Sequence, residues 1–248
     1  MELRHKTALI TGAGRRIGRA VALSLAGRGA RVVLHYHHSR REAEALKREI
    51  EDLGGEAVTA HEDFSAGRGS VTARIRRFAA AVERRAPVDI LINNAAIFYR
   101  TPLGRISEKI WDDFHTVNLK APFFLAQEFG LRMKKRGRGK IVNLTDWTAL
   151  RPHPDFLPYA TAKAGLAAAT TGLARALAPA VQVISIAPGP VLPAKGMSKK
   201  HNRAAAQHTL LKRFGDPNDI AAAVRFFVED TDFITGVFLP VDGGALIA

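Results

Sequence analysis

The chain reads as an α/β protein built on a doubly wound parallel sheet. Short apolar runs rich in β-branched residues alternate with longer Ala/Arg/Glu segments along the whole length. The runs TALIT, RVVLHY, DILIN, KIVNL and VQVISI are apolar throughout, as strands covered on both faces must be. A glycine-rich turn leads from the first strand into the first helix. Strands are expected near 6–11, 31–36, 56–61, 88–93, 140–145, 181–187 and 236–241. Helical patterns fall near 17–28, 40–53, 68–85, 107–136, 158–178 and 217–229. Strand–helix alternation of this kind predicts one domain over residues 1–248, a seven-stranded sheet with helices on both faces.

Composition narrows the classes. Hydrophobic residues make up 47% of 248, enough for a sizeable core. No uncharged apolar run approaches the ~20 residues needed to cross a bilayer, so no membrane partner is expected. The opening MELRHKTALITG enters the first strand at once and leaves no room for a secretory signal. Cysteine is absent, which excludes disulfides, thiolate catalysis and cysteine-ligated zinc. A cytoplasmic location is expected, and no metal site. The net charge of +14 admits nucleic acid, phosphorylated cofactors and acidic substrates alike.

In such sheets ligands bind beyond the carboxyl ends of the strands. The first strand ends in Thr11-Gly12-Ala13-Gly14-Arg15-Arg16-Ile17-Gly18. Gly12 permits a tight turn, Gly18 lets helix and strand pack closely, and the N–H groups at the helix start favour an anion. The second strand ends in His35-Tyr36-His37-His38-Ser39-Arg40-Arg41. An NAD site usually carries an acid here for the ribose 2′-hydroxyl. This basic, hydroxyl-bearing turn suits a 2′-phosphate instead, so NADPH is favoured over NADH. A solvated strand end is the alternative for the histidines, more apt for His35 than for His37 and His38.

Asp63 and Phe64 follow the third strand. Asp63 either accepts from the adenine amino group or caps the next helix. Asn93, Asn94, Ala95 and Ala96 follow the fourth, where small residues allow close approach to a flat ligand. Phe98 comes next and would lean over the cleft. Asp146 lies just past the fifth strand, and Tyr159 and Lys163 share a helix face at i, i+4. An ammonium one turn from a phenol is expected to lower its pKa and fit it for proton transfer.

These pieces together resemble the short-chain dehydrogenase/reductase family over essentially the whole length. The match rests on Gly12–Gly18, Asn93-Asn94-Ala95, Asn118 in VNLKAPFF, Tyr159 with Lys163, Ala187-Pro188-Gly189, RFGDPNDI from Arg213 and the closing Val241-Asp242-Gly243-Gly244. The resemblance implies a Rossmann-like fold with Tyr159 as proton donor. It implies that Lys163 holds the nicotinamide ribose and that Asn118 organises a water-mediated relay. It also implies that the nicotinamide amide meets the backbone after Pro188-Gly189, with Val191 beside it. A homotetramer is the family's usual assembly, and Ala160, Ala162, Ala164, Ala167 and Ala168 would allow close helix contact, across an interface or against the protein's own sheet.

Two departures sharpen the reading. Arg16 replaces the middle glycine of the usual TGxxxGxG loop, and Asp146 replaces the usual catalytic serine. A serine donates to a substrate carbonyl oxygen, whereas an ionised aspartate only accepts and would repel a developing alkoxide. An aspartate suits an amino-heterocycle, and with a pKa raised by burial it could pass a proton to a ring nitrogen. TGAGRRIG, HYHHS and the Asp146–Tyr159 pair resemble the pteridine reductases and dihydromonapterin/dihydrofolate reductase-like members. That likeness implies that Phe98 stacks the pterin and that Arg16 reaches both pyrophosphate and pterin. His38 stands where that subgroup carries an arginine. The expectation is NADPH-dependent reduction of a pteridine C=N bond. The alternatives are a carbonyl reductase such as a 3-oxoacyl-carrier-protein reductase, and a nucleotide-binding scaffold without activity.

Arg132, Lys134, Lys135, Arg136, Arg138 and Lys140 are expected at a solvated helix end. No aromatics interleave with them, so nucleic acid is not expected as a partner. Lys195, Lys199, Lys200 and Arg203 lie after the sixth strand, either to meet the carboxylates of a folate-like tail or as an exposed lid.

Overall fold

The computed structural model describes residues 1–67, 69–193 and 198–248. Seven strands form one sheet: β1 Thr7–Ile10, β2 Arg31–Tyr36, β3 Glu56–His61, β4 Ile90–Asn93, β5 Gly139–Leu144, β6 Val181–Pro188 and β7 Phe238–Val241. Their order is β3-β2-β1-β4-β5-β6-β7, and every pair is parallel. The windows expected from the sequence locate all seven to within about two residues at each end. β1, β4 and β5 are buried at every position, which is why apolar residues follow one another in them without alternation, and the polar Asn93, Lys140 and Asn143 among them are buried too.

The helices are α1 Arg16–Ala26, α2 Arg40–Asp52, α3 Val71–Arg85, α4 Glu108–His115, α5 Ala121–Lys135, α6 Leu157–Leu177, α7 Lys199–Gln207 and α8 Pro217–Arg225. Two buried clusters flank the sheet. Val21 and Leu25 of α1, Leu46 and Ile50 of α2, and Ile220 and Val224 of α8 cover one face. Ile75 and Phe78 of α3, Leu125 and Phe129 of α5, and Leu173 and Leu177 of α6 cover the other. Local chemistry sets the boundaries. Ser70 caps α3 by accepting from Ala73 N. Asp216 and Asp219 close a reciprocal capping box on α8, with Pro217 in its first turn.

The helix expected over 107–136 is interrupted. Thr116–Lys120 forms one π-helical turn between α4 and α5, and Asn118 lies inside it. α7 was not anticipated from the sequence. Lys195 lies outside the described residues, as do the side chains of Lys199 and Lys200, so of the expected basic lid only Arg203 is described, and it is exposed.

Lys140 does not belong to the basic surface. It is 1% exposed, and its ammonium donates to the carbonyls of Phe227 and Thr231 and pairs with Asp232 at 2.8 Å. Its neighbours are also partly neutralised: Arg136 binds Glu83, and Arg132 binds Glu128. Among the described residues no helix is long and apolar enough to cross a membrane.

Candidate active site

The chain leaves the sheet in opposite directions after β1 and β4, so the loops there part and open a crevice. A cleft of about 1360 Å³ occupies this point at the carboxyl ends of the strands. Gly12, Arg15, Arg16 and Ile17 line it from the first turn, and His37, His38, Ser39 and Phe64 from the next two. Asn94, Ala95, Ala96 and Phe98 line it after β4; Asp146, Tyr159 and Lys163 form its floor; Pro188, Gly189 and Val191 close it beyond β6.

The first turn is built for close approach. Gly12 has φ +63°, and a Cβ there would stand 3.1 Å from Ala95 Cα. Thr11 Oγ1 accepts from Asn94 N and Ala95 N at 2.9 and 3.0 Å. The Asn94 amide donates back to the carbonyls of Thr11 and Gly12. The β1 and β4 loops are thereby locked together. α1 begins without a side-chain cap, which leaves its first N–H groups for an anion. Arg16 adopts φ +53°, the left-handed conformation a glycine would take without strain. Its guanidinium crosses the cleft mouth to the Pro193 carbonyl at 3.2 Å.

Three expected residues do not line the cleft. Gly18 supports it from behind, since a Cβ there would collide with the Gly12 carbonyl at 2.4 Å. Asp63 is buried; its Oδ1 accepts from Ser65 N at 2.8 Å, so it caps the turn it begins. Its other oxygen lies 3.4 Å from His37 Nε2. Asn118 was expected in a relay, but its carboxamide is consumed by the backbone of Ile97. Oδ1 accepts from Ile97 N and Nδ2 donates to Ile97 O, both at 3.0 Å. It therefore fixes the loop after β4 that leads to Phe98.

His35 is not a solvated strand end. It is 2% exposed, stacked on Phe64 at 4.6 Å. Its Nε2 donates to the Glu62 carbonyl at 3.0 Å, leaving Nδ1 to accept from Gly12 N at 3.2 Å. Burial pushes its pKa down to about 4, so the ring is neutral at ordinary pH. The consecutive apolar run Val32-Val33-Leu34 just before it, in a strand buried on both faces, could have signalled this inward position.

At the floor, Tyr159 donates its hydroxyl to Asp146 Oδ2 at 3.0 Å. Thr148 donates to Oδ1 from both N, at 2.9 Å, and Oγ1, at 2.6 Å. Asp146 as a whole is half-buried, but its carboxylate sits deep in the cleft wall, and burial raises its pKa against the three bonds and Lys163. Burial and the neighbouring carboxylate push Tyr159 well above its usual value. Lys163 was expected to lower it. Instead its Nζ donates to the Leu144 carbonyl at 2.6 Å and lies 5.7 Å from the phenol ring centroid. Burial pulls Lys163 down to about 8, opposed by Asp146. The phenol is thus held neutral, as a donor.

Phe98 stacks on Phe156, ring centroids 4.8 Å apart and 11° from parallel, and meets Tyr159 edge-on at 4.8 Å. It is 43% exposed and adds an aromatic wall beside the Asp–Tyr pair. Phe156 and Thr148 are contributors that the sequence reading did not name. Asp-x-Thr, with a hydroxyl two residues on, was the available signal for Thr148.

The model of the enoyl-(acyl carrier protein) reductase family matches residues 12–245. Over 244 residues, 97% of this chain and 98% of the relative, it is 35% identical to the 3-oxoacyl-(acyl-carrier-protein) reductase FabG of Staphylococcus epidermidis. It is 33% identical to dehydrogenase/reductase SDR family member 4 of Pongo abelii, covering 98% and 88% of the two chains. Among solved structures, the FolM alternative dihydrofolate reductase 1 of Brucella canis, complexed with NADP, superposes with a TM-score of 0.90. That pair shares 32% identity over 100% of this chain and 96% of the other. The angucycline C-6 ketoreductase LanV with bound NADP gives 0.91 at 30% identity, covering 100% and 98%. With the parallel sheet, the glycine turn and the Tyr159–Lys163 pair in place, the chain belongs to the short-chain dehydrogenase/reductase family.

Proposed function

We propose that this protein is an NADPH-dependent reductase of a pteridine C=N bond, in a dihydropterin or dihydrofolate-like substrate. The observation that carries this is the buried carboxylate of Asp146, bonded to Tyr159 at 3.0 Å where the family keeps a serine.

The residues fit the cofactor. The uncapped start of α1 and the close glycine turn suit a pyrophosphate. The turn after β2 presents His37, His38 and Ser39 with no acid among them. Asn94, Ala95, Ala96, Pro188, Gly189 and Val191 would border the nicotinamide half, with Lys163 on its ribose. When bound, NADPH supplies the hydride that the ring carbon of the C=N bond receives. The adjacent nitrogen then takes a proton from the Tyr159–Asp146 pair, which solvent reloads, so the step moves one hydride and one proton. Asp146 holds the phenol in its donor orientation and accepts N–H bonds from the amino-heterocycle. Phe98 stacks the flat ring, and Arg16 reaches over it. The FolM structures, solved with NADP, accord with this reading. Self-association as a homotetramer belongs to the same reading, since Ala168 and Gly172 leave part of α6 exposed and smooth.

A second reading, reduction of 3-oxoacyl thioesters, is favoured by the 35% identity to FabG. Asp146 opposes it, because a carboxylate repels the alkoxide that forms. NADPH consumption with dihydrobiopterin, dihydromonapterin, dihydrofolate and a 3-oxoacyl thioester, run in parallel, separates the two. The pterin reading expects turnover of a pteridine only, and at least about a hundredfold loss in Asp146→Ser. Faster turnover of the thioester, or full pterin activity in Asp146→Ser, would sink it.

A further inference from the structure

The segment that follows β5 climbs the cleft wall from the reacting pair to the mouth. Asp146 stands at the floor, Trp147 opens the 3₁₀ turn Trp147–Ala149, and Arg151 comes two residues after that turn; all of them line the cleft. The Asp146 carboxylate is buried, Trp147 is half-buried and Arg151 is exposed. The indole also meets the ring of His208, just past α7, edge-on at 6.3 Å. Along one stretch of chain the wall thus runs from acceptor to aromatic surface to cation.

Arg151 is held through a single nitrogen. Its Nη1 donates to the backbone oxygens of Ala245, at 3.3 Å, and Ala248. They lie in the turn after β7, which Asp242 fastens by accepting from Gly244 N and Leu246 N at 2.9 and 2.7 Å. Nε and Nη2, an edge of the guanidinium that matches a carboxylate with two parallel bonds, meet no protein acceptor among the described residues. The arginine is therefore steadied on one side and open on the other.

The remaining charges of the cleft are committed elsewhere. Arg15 pairs with Glu42, and Lys109 with Asp113 at 2.6 Å. Lys163 donates to the Leu144 carbonyl, and Arg16 spans the far lip to Pro193. The acids that line the cleft are Asp113 and Asp146; the first is bound to Lys109 and the second to Tyr159 and Thr148. Among the described residues, no side-chain carboxylate pairs with Arg151. One free edge offers two donors, enough for the two oxygens of a carboxylate. A phosphate would call for further cations, and Asp146–Asp155 holds no other lysine or arginine.

We propose that Arg151 anchors a carboxylate at the far end of the substrate, so that the cleft takes a pterin ring bearing an aromatic tail that ends in a carboxylate. The ring sits at Asp146, and the tail runs along Trp147 to the guanidinium. This deepens the pteridine reading above and rests on it for the ring.

Calorimetric titration of the full chain, with NADP⁺ present, tests the anchor without turnover. The probe is para-aminobenzoylglutamate, which carries the tail and no pterin, beside its uncharged diamide. The wild type should bind the diacid at least about tenfold more tightly than the diamide. Arg151→Gln should abolish that preference, and Arg151→Lys, which keeps the charge but loses the fork, should restore only part of it. In turnover, the ratio of kcat/KM for dihydrofolate to that for dihydrobiopterin should fall at least about tenfold in Arg151→Gln, through KM, with dihydrobiopterin turnover reporting that the variant is folded. No binding of the diacid to the wild type, equal binding of diacid and diamide, or an undiminished preference in Arg151→Gln overturns the proposal. Pteridine turnover with a ratio that Arg151→Gln leaves unchanged would do so too, and would leave the ring reading standing. A carboxylate preference that depends on Arg151, with no pteridine reduced, would sink the ring reading and keep the anchor.

Discussion

Tyr159 and Asp146 form a buried donor–acceptor pair at 3.0 Å, and Thr148 fills the carboxylate's other oxygen. The arrangement favours chemistry at the expense of stability. Asp146 has its pKa raised by burial, so its folded-state value exceeds the unfolded one. Such a group favours the fold below the unfolded pKa, and that contribution is lost as pH rises through the folded value. Asp146→Asn keeps an acceptor for Thr148 and can donate to the phenol oxygen, with no charge to bury. The variant should be more stable at pH 7 by about 1 kcal/mol, a rise of roughly 2–4 °C in Tm. Its kcat should fall at least about a hundredfold. Thermal scans beside single-turnover rates check both; a variant that is less stable at pH 7 would contradict the burial argument.

Lys163 sets an alkaline limit. Burial lowers its pKa to about 8, with Asp146 opposing. The ammonium that would grip a ribose hydroxyl therefore prevails below pH 8 and is lost above it. The kcat/KM of the wild-type protein should decline with unit slope above about pH 8, since that ratio reports the free enzyme. A profile flat to pH 10 would mean that the charge of Lys163 does not matter to the reaction.

The sheet was legible because its central strands are short, rich in consecutive apolar residues and bracketed by glycine or polar turns. Burial on both faces favours such runs over alternation. The cleft was legible for the same reason: topology fixes which strand ends meet. What the sequence concealed was direction. His35 and His37 are two residues apart and both border the cleft, yet His35 is buried and stacked on Phe64 while His37 is partly exposed. Lys140 and Lys135 belong to one basic run, but only Lys140 enters the sheet, where it finds carbonyl partners. Lys163 was correctly placed one turn from Tyr159, but i, i+4 spacing says nothing of the Leu144 carbonyl that claims its hydrogen. The π turn at Asn118 left no mark in the helical periodicity, because one extra residue barely shifts the apolar stripe.

His35 joins the glycine turn to the third strand end. Its folded pKa of about 4 lies below the ordinary 6.5 because the buried ring resists charge. Between those values the unfolded chain binds a proton that the folded one does not, so stability falls as pH drops from 6.5 toward 4. The loss attributable to this ring is about 3 kcal/mol. His35→Asn retains an acceptor near Gly12 N but cannot titrate. It should be less stable at pH 7 by about 2 kcal/mol through lost packing, with a shallower decline below pH 6.5. Denaturant midpoints at pH 5 and pH 7 for both proteins give the difference; equal slopes would remove His35 from the acid response.

Arg16 holds a left-handed backbone conformation, φ +53°, at the lip of the cleft, with its guanidinium spanning to Pro193. A side chain in that region costs roughly 1–2 kcal/mol, part of which a glycine would return after its own entropic penalty. Arg16→Gly should therefore match or exceed the wild-type stability, by up to about 1 kcal/mol. A residue that strains the fold is retained only where its side chain serves a purpose. The same variant should raise KM for NADPH or for the reduced substrate at least about tenfold, through loss of one charged contact. Steady-state kinetics beside a thermal scan would decide the matter. An unchanged KM with raised stability would leave the arginine's strain without a function, and a large loss of stability would show that its span to Pro193 holds the cleft together.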